Sequence, residues 1–328
     1  MGLFDFFKKK DDAPVERPKA DPSVDLKLDL PGEQSVNEEP VNEEAFDEEP
    51  AIEKEDLKLD EVLAGVNKYC SPKPVVKFSV TKDTTTVFDS KIGGVPYFPK
   101  TMEYPRGKSE DQPLVLLAQI NLSQLPELPD FPHEGILQFF IAGDDLYGMS
   151  GNMDELDVQN DFRIVYHKEI ISDVSQLMTA DDIPQNSGED EIYLPFEGEY
   201  KLIAQASDPM PVTTSDYRFA GAFVSSYNEL HETPIKQIWD VDDTSIYDAE
   251  EDFPDAIMGG YPMFVQSDPR EGNDEYAIYD TVLFELDSVY GDDIDISWGD
   301  GGTGTFLISR DALLSCDFSK VLYNYDCM

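Results

Sequence analysis

The stretch of this 328-residue chain richest in chemically useful side chains is Asp292-Asp293-Ile294-Asp295-Ile296-Ser297-Trp298-Gly299-Asp300-Gly301-Gly302. The carboxylates of Asp292, Asp293, Asp295 and Asp300 are hard oxygen donors of the kind that gather round Ca²⁺ or another divalent cation. Asp293-x-Asp295-x-Ser297 begins as an EF-hand loop does. It then puts Trp298 where the sharp-turn glycine belongs and supplies no closing glutamate, so a solvated acidic loop is the competing reading. Gly299-x-Gly301-x-x-Gly304 has the spacing of a dinucleotide fingerprint, but a strand pattern follows it and Asp300 would repel a pyrophosphate. An Asp300-Gly301 hairpin-type turn explains these glycines better. His133, His167 and His231 lie far apart without HExxH spacing, and His133-Glu134 lacks a returning histidine. Cys70, Cys316 and Cys327 show no CxxC, which fits a reducing cytosol, and Cys316 and Cys327 read as inert core thiols. No Gly-x-Ser-x-Gly elbow or Walker loop occurs. No catalytic residue is assigned.

A second set of residues offers binding rather than catalysis. Ile92-Gly93-Gly94-Val95-Pro96-Tyr97-Phe98 returns as Met258-Gly259-Gly260-Tyr261-Pro262-Met263-Phe264. In each copy, 25 residues separate the second glycine from Gln119 or Glu285 within an apolar run, and a third apolar run, 136–141 or 304–308, follows. This spacing predicts internal duplication, with repeat units near 91–141 and 257–308. Paired glycines admit backbone angles closed to other residues, and proline fixes the exit direction. Two such loops, related by a pseudo-twofold axis, would frame a cleft from Gly93, Gly94, Tyr97, Phe98, Gly259, Gly260, Tyr261 and Phe264. The alternative is that these rings fill the shared core while the glycines permit close packing.

The elements that would position these loops are mostly strands. Apolar residues at Ile52, Leu59, Val62, Leu63 and Val66 predict a helix ended by Ser71-Pro72. Strands are expected over 75–80, 114–120, 136–141, 162–167, 199–205, 281–286, 305–308 and 321–325. Pro126, Pro129 and Pro132 suggest an extended polyproline-like connector. Ser215 is placed to cap a helix over 216–230, and Ser309 one beginning at Arg310. The expected architecture is α+β: mostly antiparallel sheets in two similar halves sharing one core, with a few peripheral helices.

Charge narrows the partner. The net charge is -45, and residues 1–50 hold 15 acids and 6 bases, so residues 51–328 carry 69 - 15 = 54 acids against 24 - 6 = 18 bases, a balance of -36. Such a surface repels nucleic acid and anionic lipid and attracts basic proteins or cations; solubility alone is the plainer explanation. Residues 1–50, with their Glu-Glu-Pro-like repeats, read as a disordered acidic tail ahead of a folded domain over 51–328. At its start, Leu3, Phe4, Phe6 and Phe7 beside three lysines, within residues 3–10, make either a short surface or partner hook or an unstructured leader. No apolar run is long enough to span a membrane, and the opening residues run in the wrong order for a secretory signal.

Taken together, Gly93-Gly94-Val95-Pro96-Tyr97, Leu117 to Leu122, Asp130-Phe131-Pro132 through Phe140, and Ser297 to Gly302 with Asp326-Cys327 resemble the YwqG family over roughly residues 56–328. The resemblance implies a cytoplasmic bacterial α+β protein without an assigned activity, some of whose relatives are associated with toxin-immunity gene clusters. It supplies no catalytic residues. The expectation is a non-catalytic intracellular binding module for a basic protein, with no required cofactor. A carboxylate- or metal-dependent hydrolase and a small-ligand binder at the Gly-Gly loops are the alternatives.

Overall fold

Val76, Phe78 and Val80 alternate along β1 (Val75–Thr81) and bring three apolar side chains onto the face that meets the main core. β1 lies near the centre of a ten-stranded sheet in which every pairing is antiparallel. With strands numbered in chain order, one neighbour of β1 is β6 (Glu199–Ala206), followed outward by β2 (Lys91–Gly93), β3 (Val115–Asn121), β4 (Ile136–Ile141) and β5 (Phe162–His167). The other neighbour is β7 (Ala256–Gly259), followed by β8 (Thr281–Asp287), β11 (Gly302–Ile308) and β12 (Leu322–Cys327). A separate hairpin joins β9 (Val289–Gly291) to β10 (Ile294–Ile296). The computed structural model describes residues 58–108, 112–185, 192–241, 244–246, 253–291 and 293–328, all within a compact unit that spans 50–328. The expected tail, the hook at 3–10, Ile52 and Asp292 lie outside the described residues.

Laid flat, ten strands about 4.8 Å apart would separate the two edges by about 43 Å. Instead, Phe162 of β5 sits with its ring centroid 5.2 Å from Tyr323 of β12. Phe139 of β4 lies 4.9 Å from Phe284 of β8 and 5.0 Å from Phe306 of β11. The sheet therefore curls into a half-barrel whose far ends face each other across aromatic rings. The main core draws buried residues from both arms of the sheet. Burying that many rings in one place is what offsets the cost of the curl.

Elsewhere, α1 (Leu59–Val66) and α2 (Phe219–Leu230) pack on each other through Val62, Val66, Phe219, Phe223 and Tyr227. A Cβ on Gly65 would fall 2.1 Å from Ser226 Oγ, so glycine permits the approach that lets Ser226 donate to the Val62 carbonyl at 2.6 Å. α3 (Arg310–Leu314) is capped by Ser309, as the sequence suggests.

Several expectations are corrected. The expected mostly antiparallel body with a few helices is found, as one ten-stranded sheet with three α-helices among the described residues; the corrections lie in its details. α2 starts at Phe219, because Ser215 Oγ instead accepts from the Phe264 amide at 3.0 Å. The proline-spaced connector is interrupted at Asp130, which has φ 71°. The acidic loop after β8 contains the β9–β10 hairpin, and β11 begins at Gly302, three residues before the expected strand.

Candidate functional site

The two Gly-Gly loops leave the ends of β2 and β7 in the same conformation. Gly93 and Gly94 have φ 64° and 70°, and Gly259 and Gly260 have φ 72° and 71°, all in the left-handed region. A Cβ on Gly93 would lie 2.4 Å from the Gly198 carbonyl oxygen, and one on Gly259 2.5 Å from that of Pro74. Each loop is held by buried polar residues on the strands beside it. The Tyr97 amide donates to Gln119 Oε1 at 2.8 Å, and Gln138 Nε2 donates to the same oxygen and to the Tyr97 carbonyl. Gln138 Oε1 is then left to accept from His167 Nε2 at 2.9 Å, which assigns the ring proton to Nε2. Burial pushes His167 down to about 4, so its ring is neutral.

The second loop uses acids in the same geometry. The Met263 amide lies 3.1 Å from both oxygens of Glu285, and Thr305 donates to Oε2 at 2.8 Å. Desolvation pushes Glu285 up to about 8, beyond what those two hydrogen bonds recover. Asp326, also raised by burial, accepts from the Gln266 amide at 2.8 Å and lies 3.2 Å from Thr303 Oγ1. All these groups spend their hydrogen bonds on loop backbone and on one another. Their chemistry is positioning.

The aromatic residues expected at a cleft are all buried and divide among four clusters. Tyr97 packs with Ile136 and Leu177, and Phe98 with Tyr104 and Phe140. Tyr261 lies against the α1–α2 cluster, and Phe264 against Tyr276 and Tyr279. Asp293 and Asp300 are exposed in turns and Asp295 is exposed on β10. Among the described residues no three His, Cys, Asp or Glu side chains gather so as to hold a metal ion. Gly304 packs on Trp298, whose ring a Cβ would meet at 2.3 Å, and Gly301 closes a turn onto the Trp298 carbonyl. His133 is exposed, while His231 stacks on Tyr227 at 3.9 Å. Cys316, expected in the core, is exposed because the chain turns there with φ 54°; Cys327 is partly buried.

Sequence reasoning missed a buried ionic cluster near the start of α2. Arg270, fully buried, donates through Nη2 to Asp268 at 2.6 Å and Asp216 at 2.9 Å, and Arg218 Nη2 donates to Asp216 at 2.6 Å. The Tyr261 ring centroid lies 4.6 Å from Lys73 Nζ and 4.9 Å from the Arg218 guanidinium. A signal was available: Asp216-x-Arg218 and Asp268-x-Arg270 share one spacing, and each arginine Nε donates back to its own aspartate. On the surface, exposed Asp154, Asp274 and Glu275 border an open depression of about 480 Å³ backed by Tyr276.

Among the described residues no helix is long and apolar enough to cross a membrane. No curated protein matches the chain. A family model described as a domain of unknown function, DUF1963, matches residues 90–327, beginning just before β2 and omitting β1 although β1 is central to the sheet. With more than half of its length matched, the chain belongs to the DUF1963 family of proteins with a domain of unknown function.

Proposed function

We propose that this protein is a non-catalytic binding module for a basic protein partner, acting in the cytoplasm. The observation that carries the reading is the balance of -36 on residues 51–328, outside the acidic first fifty residues. Several of the few cations are spent internally: Arg270 and Lys91 are buried, and Arg218 is held by Asp216. The depression bordered by Asp154, Asp274 and Glu275 gives lysine or arginine side chains a concave acidic target. The test is affinity capture from the source lysate with the full chain as bait, washed at low and moderate salt. One basic protein retained at low salt, released at moderate salt, and lost with Asp274→Lys/Glu275→Lys supports the reading. Recovery of nonspecific background alone at both salts overturns it.

We also infer that the two arms of the sheet are copies of one unit. Outward from β1 and β6, each arm meets a short strand ending in a Gly-Gly loop, then a strand bearing Gln119 or Glu285, then a strand carrying Gln138 or Thr305. Gly198 and Pro74 present equivalent carbonyls to Gly93 and Gly259. On this reading the leading strands are exchanged, because β1 pairs with β7 and β6 with β2. Separately expressed fragments 1–185 and 186–328 should then fold only when mixed; a fragment that folds alone with a native-like sheet contradicts the exchange.

A further inference from the structure

A pocket of about 170 Å³ opens between the 128–131 loop, the Gly259–Gly260 pair, the start of β8 and the first residue of α3. Pro74, Leu128 and Phe131 line part of it, and Lys73, Asp130, Asp280 and Arg310 supply its charges. Arg310 donates through Nε and Nη2 to the two oxygens of Asp130, both at 2.8 Å, which leaves three of the five guanidinium donors unclaimed by that pair. Asp130 adopts φ 71°, a conformation that costs a non-glycine residue free energy and that here presents its carboxylate to Arg310. Lys73 donates to the Asp280 carbonyl and its Nζ lies 4.6 Å from the Tyr261 ring centroid, so two of its three N–H groups are not claimed by that hydrogen bond. Asp280 lines the same pocket as Lys73 and Arg310, and its carboxylate accepts from Thr281 Oγ1 at 3.2 Å through Oδ1, which leaves Oδ2 for a ligand.

Two cations and two carboxylates thus line one pocket together with Pro74, Leu128 and Phe131. A simple anion would be repelled by Asp130 and Asp280, and a simple cation by Lys73 and Arg310. A ligand carrying both charges on adjacent atoms meets complementary partners for each. The volume is well below the roughly 300 Å³ at which sites for drug-sized ligands begin, so the occupant is a small molecule. We propose that this pocket binds a free apolar α-amino acid, with its carboxylate on Lys73 and Arg310, its ammonium on Asp280, and its side chain against Leu128 and Phe131. This site is separate from the acidic depression and independent of the basic-protein reading.

The test is calorimetric titration of the full chain with L-leucine and L-valine. It is set against 4-methylpentanoate, which lacks the ammonium, and isoamylamine, which lacks the carboxylate. Saturable binding of at least one amino acid is expected, with each analogue weaker by ~10-fold or more, the effect of losing a charge-assisted hydrogen bond. Asp280→Asn and Lys73→Met should each weaken binding by ~10-fold or more. Arg310→Gln alters a largely exposed side chain and should weaken binding several-fold without affecting folding, so it decides the matter if Lys73→Met does not fold. Absence of saturable binding by either amino acid at about 10 mM, equal binding of either analogue, or unchanged affinity in Asp280→Asn overturns the proposal.

Discussion

Replacing Glu285 with glutamine should stabilise the protein at alkaline pH. Glu285 is fully buried, and burial raises it from an ordinary 4.5 to about 8. Below pH 4.5 the folded and unfolded chains both hold this proton, so it contributes no pH dependence. Between 4.5 and 8 the unfolded chain releases the proton and the folded chain keeps it. Stability therefore falls by about 1.36 kcal/mol per pH unit and levels off above 8. Across the window the loss is on the order of 5 kcal/mol. The corresponding place in the other arm is occupied by Gln119, whose neutral carboxamide accepts the Tyr97 amide at 2.8 Å. Glutamine at 285 can accept from Met263 in the same way, while the Thr305 hydroxyl reorients to accept from the new amide. Urea unfolding of wild type and Glu285→Gln across pH 5.5 to 9 checks this. Asp287, raised to about 6, also titrates, so the informative quantity is the difference between the two proteins. That difference should move in favour of the variant by roughly 2 to 4 kcal/mol as the pH rises. A difference that stays constant with pH would refute the reasoning.

In the acid range, His167 is depressed from 6.5 to about 4 by burial, so the unfolded state takes up a proton that the folded state refuses. Stability lost between pH 6.5 and 4, up to about 3 kcal/mol, should be absent in His167→Gln, as read by urea unfolding. Gly93→Ala or Gly259→Ala places a Cβ within 2.5 Å of a carbonyl oxygen at positive φ and should cost roughly 2 kcal/mol or more by denaturant midpoint. Arg270→Met leaves Asp216 and Asp268 without their buried guanidinium and should cost about 3 to 5 kcal/mol, with Asp268→Asn added to the variant recovering part of it.

The glycine pairs, their spacing to Gln119 and Glu285, most of the strands and the acidity of residues 51–328 were legible in the sequence. Each depends on local rules: side-chain alternation, backbone angles open only to glycine, and charges that add without regard to position. Tertiary structure alone decided that Phe162 and Tyr323, at opposite edges of one sheet, would meet. It also took Ser215 from the helix start to Phe264, and joined Asp216 to Arg270 across 54 residues. It placed the loop aromatics in four packed clusters and set Lys73, Asp130, Asp280 and Arg310 round one pocket. The reason is that burial depends on which surfaces the curl of the sheet brings together, and hydrogen-bonding groups taken from water must pair with whatever lies beside them there. Neither choice is written in the spacing of residues along the chain.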